Sequence, residues 1–248
     1  MAGQLKPKHA ATVILLRPER RDGFEVFMTR RPMGMNFLGG AYVFPGGGIG
    51  DQDAAEALLK RCCGLSRQDS KRILHADLSP ELCLAHWVAA IRELFEEVGV
   101  LLCVTEAGKP TNTQQQGLPE RLTSKRRELI EGRINFLTLL ESEGLFCDAA
   151  RLSYFSHWCT PEEFSTRFDT RFYLTALPPD QDPLPISEEV AHSIWLTPER
   201  ALKLCQEGSL PVIFPTFSSL RTLADFDSLD SLLAEYRNSF GPTVAGKG

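Results

Sequence analysis

The sequence predicts an α/β protein, a mixed β-sheet with helical insertions, and three observations carry that reading. Short runs rich in β-branched and aromatic residues sit towards both ends of the chain, at 11–16, 24–29, 152–159, 171–177 and 190–196. A long amphipathic helical pattern occupies 80–98, with further helical patterns after it. The order of elements mixes helix and strand without any internal repeat, and a helix-rich insert falls near the middle.

Taken in order, ATVILL (11–16) and FEVFMT (24–29) form a pair of strands around the polar, turn-prone stretch Arg17 to Gly23. Ala41 to Phe44 is a short strand, and Pro45 to Gly50 is expected to be an irregular glycine loop. Short helices are expected at 53–62 and 67–75. The strongest helix runs from Pro80 to Val98, with Ser79 as N-cap, Pro80 in the first turn and Gly99 just past the end. VLLCV (100–104) reads as a strand and TNTQQQG (111–117) as a loop. Helices follow at 118–132 and 134–143, then the late strands, then helices at 198–207, 215–224 and 228–237.

The chain has 248 residues, 43% apolar and 24% charged, which suits a globular protein with a sizeable core and excludes disorder throughout. No apolar run approaches the length needed to cross a bilayer, and the N-terminus lacks the apolar stretch of a secretory signal. Seven scattered cysteines without a C-x-x-C pair point to reduced thiols rather than zinc or a disulfide framework. A cytoplasmic location is expected. The C-terminal Gly246-Lys247-Gly248 is not a peroxisomal tripeptide. A net charge of −5 excludes a broad nucleic-acid-binding surface but leaves room for a small phosphate-bearing substrate. No membrane partner is expected, and the oligomeric state stays open, a homodimer being one arrangement the sequence allows.

The most informative stretch is the end of the long helix. Leu84, Trp87, Val88, Ile91, Leu94, Phe95 and Val98 recur at three- and four-residue steps and define a core-directed face. Glu93, Glu96 and Glu97 share the opposite face. Like charges at this spacing repel, and anions in the last turn oppose the helix dipole, at about 0.3–1 kcal/mol each. Only Arg92 offers nearby relief. A solvated charged face is the plainer reading, but a cluster that costs stability also suits a hard divalent cation such as magnesium.

Together with Phe44-Pro45-Gly46-Gly47, these residues resemble the box of the Nudix hydrolases, G-x5-E-x7-R-E-U-x-E-E-x-G-U, where U is bulky and aliphatic. Arg92-Glu93-Leu94-Phe95-Glu96-Glu97-Val98-Gly99-Val100 matches every fixed position of the second half, and Gly47 the opening glycine. The first half departs. Asp53 stands where the family has glutamate, and 38 residues separate it from Arg92 where the family usually has seven. The box is split by an insertion, and the role of Asp53 is open.

The resemblance implies an α/β/α sandwich around a mixed sheet and hydrolysis of a diphosphate linkage with magnesium or manganese. It implies Glu93, Glu96 and Glu97 as metal ligands, Glu93 also as a base, and Arg92 as a residue that orients a glutamate through a bidentate pair. Gly46 and Gly47 would let the backbone approach the phosphate. Glu189, in Ser187-Glu-Glu-Val190, resembles a late-strand glutamate that serves as general base in part of the family; an exposed strand charge is the equal alternative.

A second likeness concerns the substrate. Thr29, Arg31, Gly40 and Phe44-Pro-Gly-Gly47 are similar to the motif of coenzyme A diphosphatases, although Asn36 and Tyr42 depart from it. Phe37-Leu-Gly-Gly-Ala-Tyr-Val-Phe-Pro-Gly-Gly47, His157-Trp-Cys-Thr-Pro-Glu162, Arg167-Phe-Asp-Thr-Arg-Phe172 and Phe214-Pro-Thr-Phe217 resemble the mammalian peroxisomal coenzyme A diphosphatases, which also split the box. The implied reaction is metal-dependent cleavage of coenzyme A or acyl-CoA to 3′,5′-ADP and (acyl-)4′-phosphopantetheine. Hydrolysis of ADP-ribose or another nucleoside diphosphate derivative is the alternative. A Nudix module that senses a nucleotide without turnover is the third reading. Arg31 and Arg171 are candidates for holding phosphate, or else pair with surface acids. Tyr42 and Phe172 are better read as core than as an adenine platform, and His157 as packing rather than as a ligand.

The expected organisation is a Nudix domain over 8–210 with insertions at about 54–85 and 106–150, and a helical extension over 211–240 packed on the same domain.

Overall fold

The structure is a computed structural model that describes residues 6–19, 23–35, 38–111, 113–184 and 190–238. Its first half runs β1 (Lys8–Pro18), β2 (Phe24–Arg30), β3 (Tyr42–Val43), β4 (Gly46–Gly48), a 3-10 turn (Asp51–Ala54), α1 (Glu56–Leu59), β5 (Cys62–Cys63), α2 (Arg67–Leu74) and α3 (Pro80–Val98). Its second half runs β6 (Cys103–Thr105), α4 (Leu118–Ile130), α5 (Phe136–Glu143), β7 (Leu145–Asp148), β8 (Ser153–Cys159), β9 (Phe168–Ala176), β10 (His192–Leu196), α6 (Pro198–Gln206), α7 (Phe214–Leu223) and α8 (Leu229–Asn238).

The main sheet has the order β10-β2-β1-β9-β8, with β3 on β2 and β4 on β1. β1 and β9 are parallel, from Lys8 opposite Phe168 to Leu16 opposite Ala176, and the other pairings in this sheet are antiparallel. Side chains alternate across β1, so Ala11, Val13 and Leu15 face one core while Ile14 and Leu16 face another. The first core is closed by α1 to α5 and the second by α6, α7 and α8. This is the α/β/α sandwich the sequence implied. No helix among the described residues is long and apolar enough to cross a membrane.

Helix α3 is specified locally. The Ser79 hydroxyl accepts the Leu82 N–H at 3.1 Å, Pro80 opens the first turn, and Gly99 ends the helix at φ 76° with its N–H on the Phe95 carbonyl. Its apolar face is fully buried, and Trp87 also donates its indole N–H to the Leu152 carbonyl at 3.3 Å.

Two elements differ from the sequence expectation. Gly46 to Gly48, expected as irregular loop, is a strand that pairs antiparallel with Ala10 to Thr12. Glycine weakens strands in general, but here its missing side chain lets the two backbones come together closely. A Cβ at Gly46 would lie 2.3 Å from the Ala11 carbonyl oxygen. The second difference is a small sheet, β5-β7-β6, with Cys62 and Cys103 both opposite Cys147. β6 overlaps the strand expected at 100–104, whereas β5 and β7, of two and four residues, are too short to show alternation.

Candidate active site

The acidic end of α3 meets the glycine strand and the 3-10 turn. Arg92 is the hub. Its Nε and Nη2 form a bidentate pair with the two Asp53 carboxylate oxygens at 2.8 and 2.9 Å. Nη1 donates to Glu93 at 2.8 Å and Glu96 at 3.1 Å, and Nη2 also donates to the Gly48 carbonyl at 2.9 Å. All five guanidinium protons are therefore engaged. Burial works against the charge on Arg92, yet the hydrogen bonds and charges of Asp53, Glu93 and Glu96 raise its pKa further.

Asp53 is 1% exposed and also accepts the Gly50 N–H at 2.8 Å. The bidentate partner of Arg92 is thus Asp53, and the two glutamates take single bonds from the remaining nitrogen. The split box closes on an aspartate: the chain returns after the insertion so that residues 39 positions apart pair.

Glu93 lies over Gly47, where a Cβ would come within 2.5 Å of its carboxyl carbon. Burial raises the Glu93 carboxyl to about 7, with the Glu96 charge adding to the rise and Arg92 opposing it. Glu97 is buried, 7% exposed, and accepts the Gly46 N–H at 3.1 Å.

Behind this end stands a residue that the sequence reading missed. Arg126 of α4 is 4% exposed, donating from Nε to the Glu96 carbonyl at 3.1 Å and from Nη1 to the Leu184 carbonyl at 2.6 Å. Burial lowers its pKa to about 10, against the nearby Glu97 charge. It answers the unfavourable dipole at the C-terminus of α3 with a cation from α4.

The site opens on a cleft of 840 Å³, the size of a small-molecule pocket. One wall carries Asp51, Asp53, Arg92, Glu93 and Glu96; the other is the turn between α4 and α5, with Arg133, Ile134 and Leu137. An all-oxygen donor set with too little protein cation beside it fits a hard divalent ion. Among the described residues, however, no three acidic, histidine or cysteine side chains converge as a metal cage, and Arg92 pairs with both Glu93 and Glu96.

The other sequence candidates fall elsewhere. Arg31 follows β2, its N–H on the Ala41 carbonyl and its buried Nε without a hydrogen-bond partner, and it does not line the cleft. Arg171, on β9, is 4% exposed and paired with Asp169 at 2.6 Å beneath α3. His157 pairs with the same aspartate instead of packing. Tyr42 and Phe172 are buried in the second core. Glu189 lies outside the described residues.

This arrangement of a glycine strand, an Arg-Glu helix end and a carboxylate clasp agrees with comparison to known proteins. The profile of the NUDT19 Nudix domain matches residues 7–223. The chain belongs to the Nudix hydrolase family, in its NUDT19 branch. The Nudix domain is similar to the acyl-coenzyme A diphosphatase NUDT19 of Gallus gallus, 29% identical over 91% of this chain and 70% of that protein. It is similar to the Homo sapiens protein of that name, 29% identical over 87% of this chain and 64% of the relative. The chain therefore spans about two thirds of the length of these relatives. Among solved structures, a NUDIX hydrolase from Alicyclobacillus acidocaldarius superposes with a TM-score of 0.77, at 26% identity, over 97% of this chain and all of that one. Nudix hydrolases generally work with a divalent metal.

Proposed function

We propose that this Nudix domain hydrolyses the diphosphate of coenzyme A or acyl-CoA, with Mg2+ or Mn2+, to 3′,5′-ADP and (acyl-)4′-phosphopantetheine. The observation that carries the reading is the Arg92 hub, which fixes three carboxylates around one helix end facing a nucleotide-sized cleft. The likeness to acyl-coenzyme A diphosphatases over most of the chain supports the substrate class.

Glu93, Glu96 and Glu97 would hold the cation, as a hard oxygen set. A bound divalent ion supplies polarisation of the phosphate oxygens and activation of water. Asp53 holds Arg92, and Arg92 in turn holds Glu93 and Glu96 in place. The Gly46 N–H fixes Glu97, and the side-chain-free strand leaves room for substrate at the helix end. The seven free cysteines agree with a reducing compartment and hence with a cytoplasmic enzyme.

The test is product analysis with purified protein, Mg2+ or Mn2+, and a panel of diphosphate compounds. Release of 3′,5′-ADP from coenzyme A, lost on chelation, is expected. Cleavage of ADP-ribose alone would overturn the substrate, and tight nucleotide binding without any turnover would overturn the activity.

A further inference from the structure

The charges of the cleft are unevenly placed. The wall formed by the 3-10 turn and α3 brings four carboxylates, those of Asp51, Asp53, Glu93 and Glu96. Among the described residues lining the cleft, two are cations, Arg92 and Arg133. Arg92 has every guanidinium proton committed to Asp53, Glu93, Glu96 and the Gly48 carbonyl. It has no donor left for a substrate phosphate.

Arg133 is differently placed. It sits on the opposite wall, in a turn held at both ends. Gly132, at φ 70°, follows α4 with its N–H on the Leu129 carbonyl, and the Arg133 N–H reaches the Glu128 carbonyl at 2.8 Å. Asn135 caps α5 by accepting the Thr138 N–H at 2.8 Å. The Arg133 side chain pairs with Glu131, but both are open to water, 59% and 45% exposed, so this pair exchanges at little cost. A rigid backbone thus presents an exchangeable guanidinium across the cleft from the acidic wall.

We infer that Arg133 binds a phosphomonoester of the substrate that lies outside the scissile diphosphate. This rests on the proposed function, in which the diphosphate occupies the acidic wall. Coenzyme A carries such a group at the ribose 3′ position, and a planar fork suits it. The α4–α5 turn would then select substrates with a third phosphate over dephospho-CoA and ADP-ribose, which lack it.

The experiment compares wild type with Arg133→Ala and Arg133→Lys, on coenzyme A and on dephospho-CoA. Arg133→Ala is expected to raise KM for coenzyme A about tenfold while kcat holds, and to leave dephospho-CoA unchanged. Arg133→Lys should recover part of the loss. Calorimetric binding of 3′,5′-ADP and 5′-AMP supplies a readout free of turnover: Arg133→Ala should weaken only the former. Equal effects on both ligands of a pair, or none on either, would overturn the inference. If wild type leaves coenzyme A intact, the functional reading falls, and the binding comparison still decides the role of Arg133.

Discussion

Arg126 reaches from helix α4 to the backbone carbonyl of Glu96, at 3.1 Å, and so ties α4 to the last turn of α3. Its other bond, to the Leu184 carbonyl, adds a third segment to the same point. Removing it leaves the Glu96 carbonyl at the helix end short of a donor, at about 1–3 kcal/mol, while the carbonyl of the exposed Leu184 can turn to water. Arg126→Met should therefore lower stability by about 1–2 kcal/mol, read from urea unfolding. An unchanged midpoint would show that water replaces the guanidinium.

Asp53→Asn tests the clasp. The substitution keeps shape but strips the charge that faces the Arg92 fork at 2.8 and 2.9 Å. Breaking a buried pair costs about 3–5 kcal/mol, and a misplacement near 1 Å at a catalytic group costs about 100-fold in rate. Both losses are expected here, by denaturation and by kcat. Full activity in Asp53→Asn would mean that Arg92 holds the glutamates without it.

Glu97→Gln separates chemistry from folding. Gln keeps an oxygen for the Gly46 N–H but removes the negative charge, so turnover should disappear while the unfolding free energy changes by less than about 1 kcal/mol. Retained turnover would take Glu97 out of the metal site.

Gly47→Ala places a methyl 2.5 Å from the Glu93 carboxyl carbon. Glu93 must move, and a loss of about 100-fold in kcat is expected. Because the crowding is against one side chain rather than backbone, Gly47→Ala combined with Glu93→Ala should fold as well as Glu93→Ala alone. Thermal unfolding of the three variants checks this.

His86 gives a pH signature. It is fully buried on α3, its Nδ1 2.7 Å from the Leu82 carbonyl and its Nε2 without a partner. Burial lowers its pKa from 6.5 to about 3, with Arg171 and His9 acting in the same direction. The native state therefore resists a proton that the unfolded chain accepts. The stabilisation is complete above pH 6.5 and is lost as the pH falls from there towards 3, by about 1.4 kcal/mol per unit. Replacing the imidazole, as in His86→Leu, should flatten unfolding free energy against pH over that window.

What the sequence disclosed follows the range of the forces involved. Helix α3 was legible to its end residues because Ser79, Pro80, Gly99 and the apolar spacing act within a few positions. The main strands were legible from alternation and branched side chains. Gly46 to Gly48 was not, since its strand character comes from Ala10 to Thr12, far away in the chain. Asp53 was noticed as a carboxylate in the right register, but its partnership with Arg92 depends on how the insertion returns. Arg126 and Arg133 carried no local signal at all: their meaning arises from where α4 is docked. The glutamates were readable because they stand together on one helix face; their binding partners were not.

The small sheet also joins the segments on either side of α3. β5 lies before α3, between Asp53 and Arg92, β6 on the segment that leaves α3, and β7 after α5. β7 is the middle strand, so without it β5 and β6 would each lose their only neighbour in that sheet. These segments, far apart in the chain, meet in one structural unit with a shared seam of cysteines. Removing either one would leave a strand of the other without its partner.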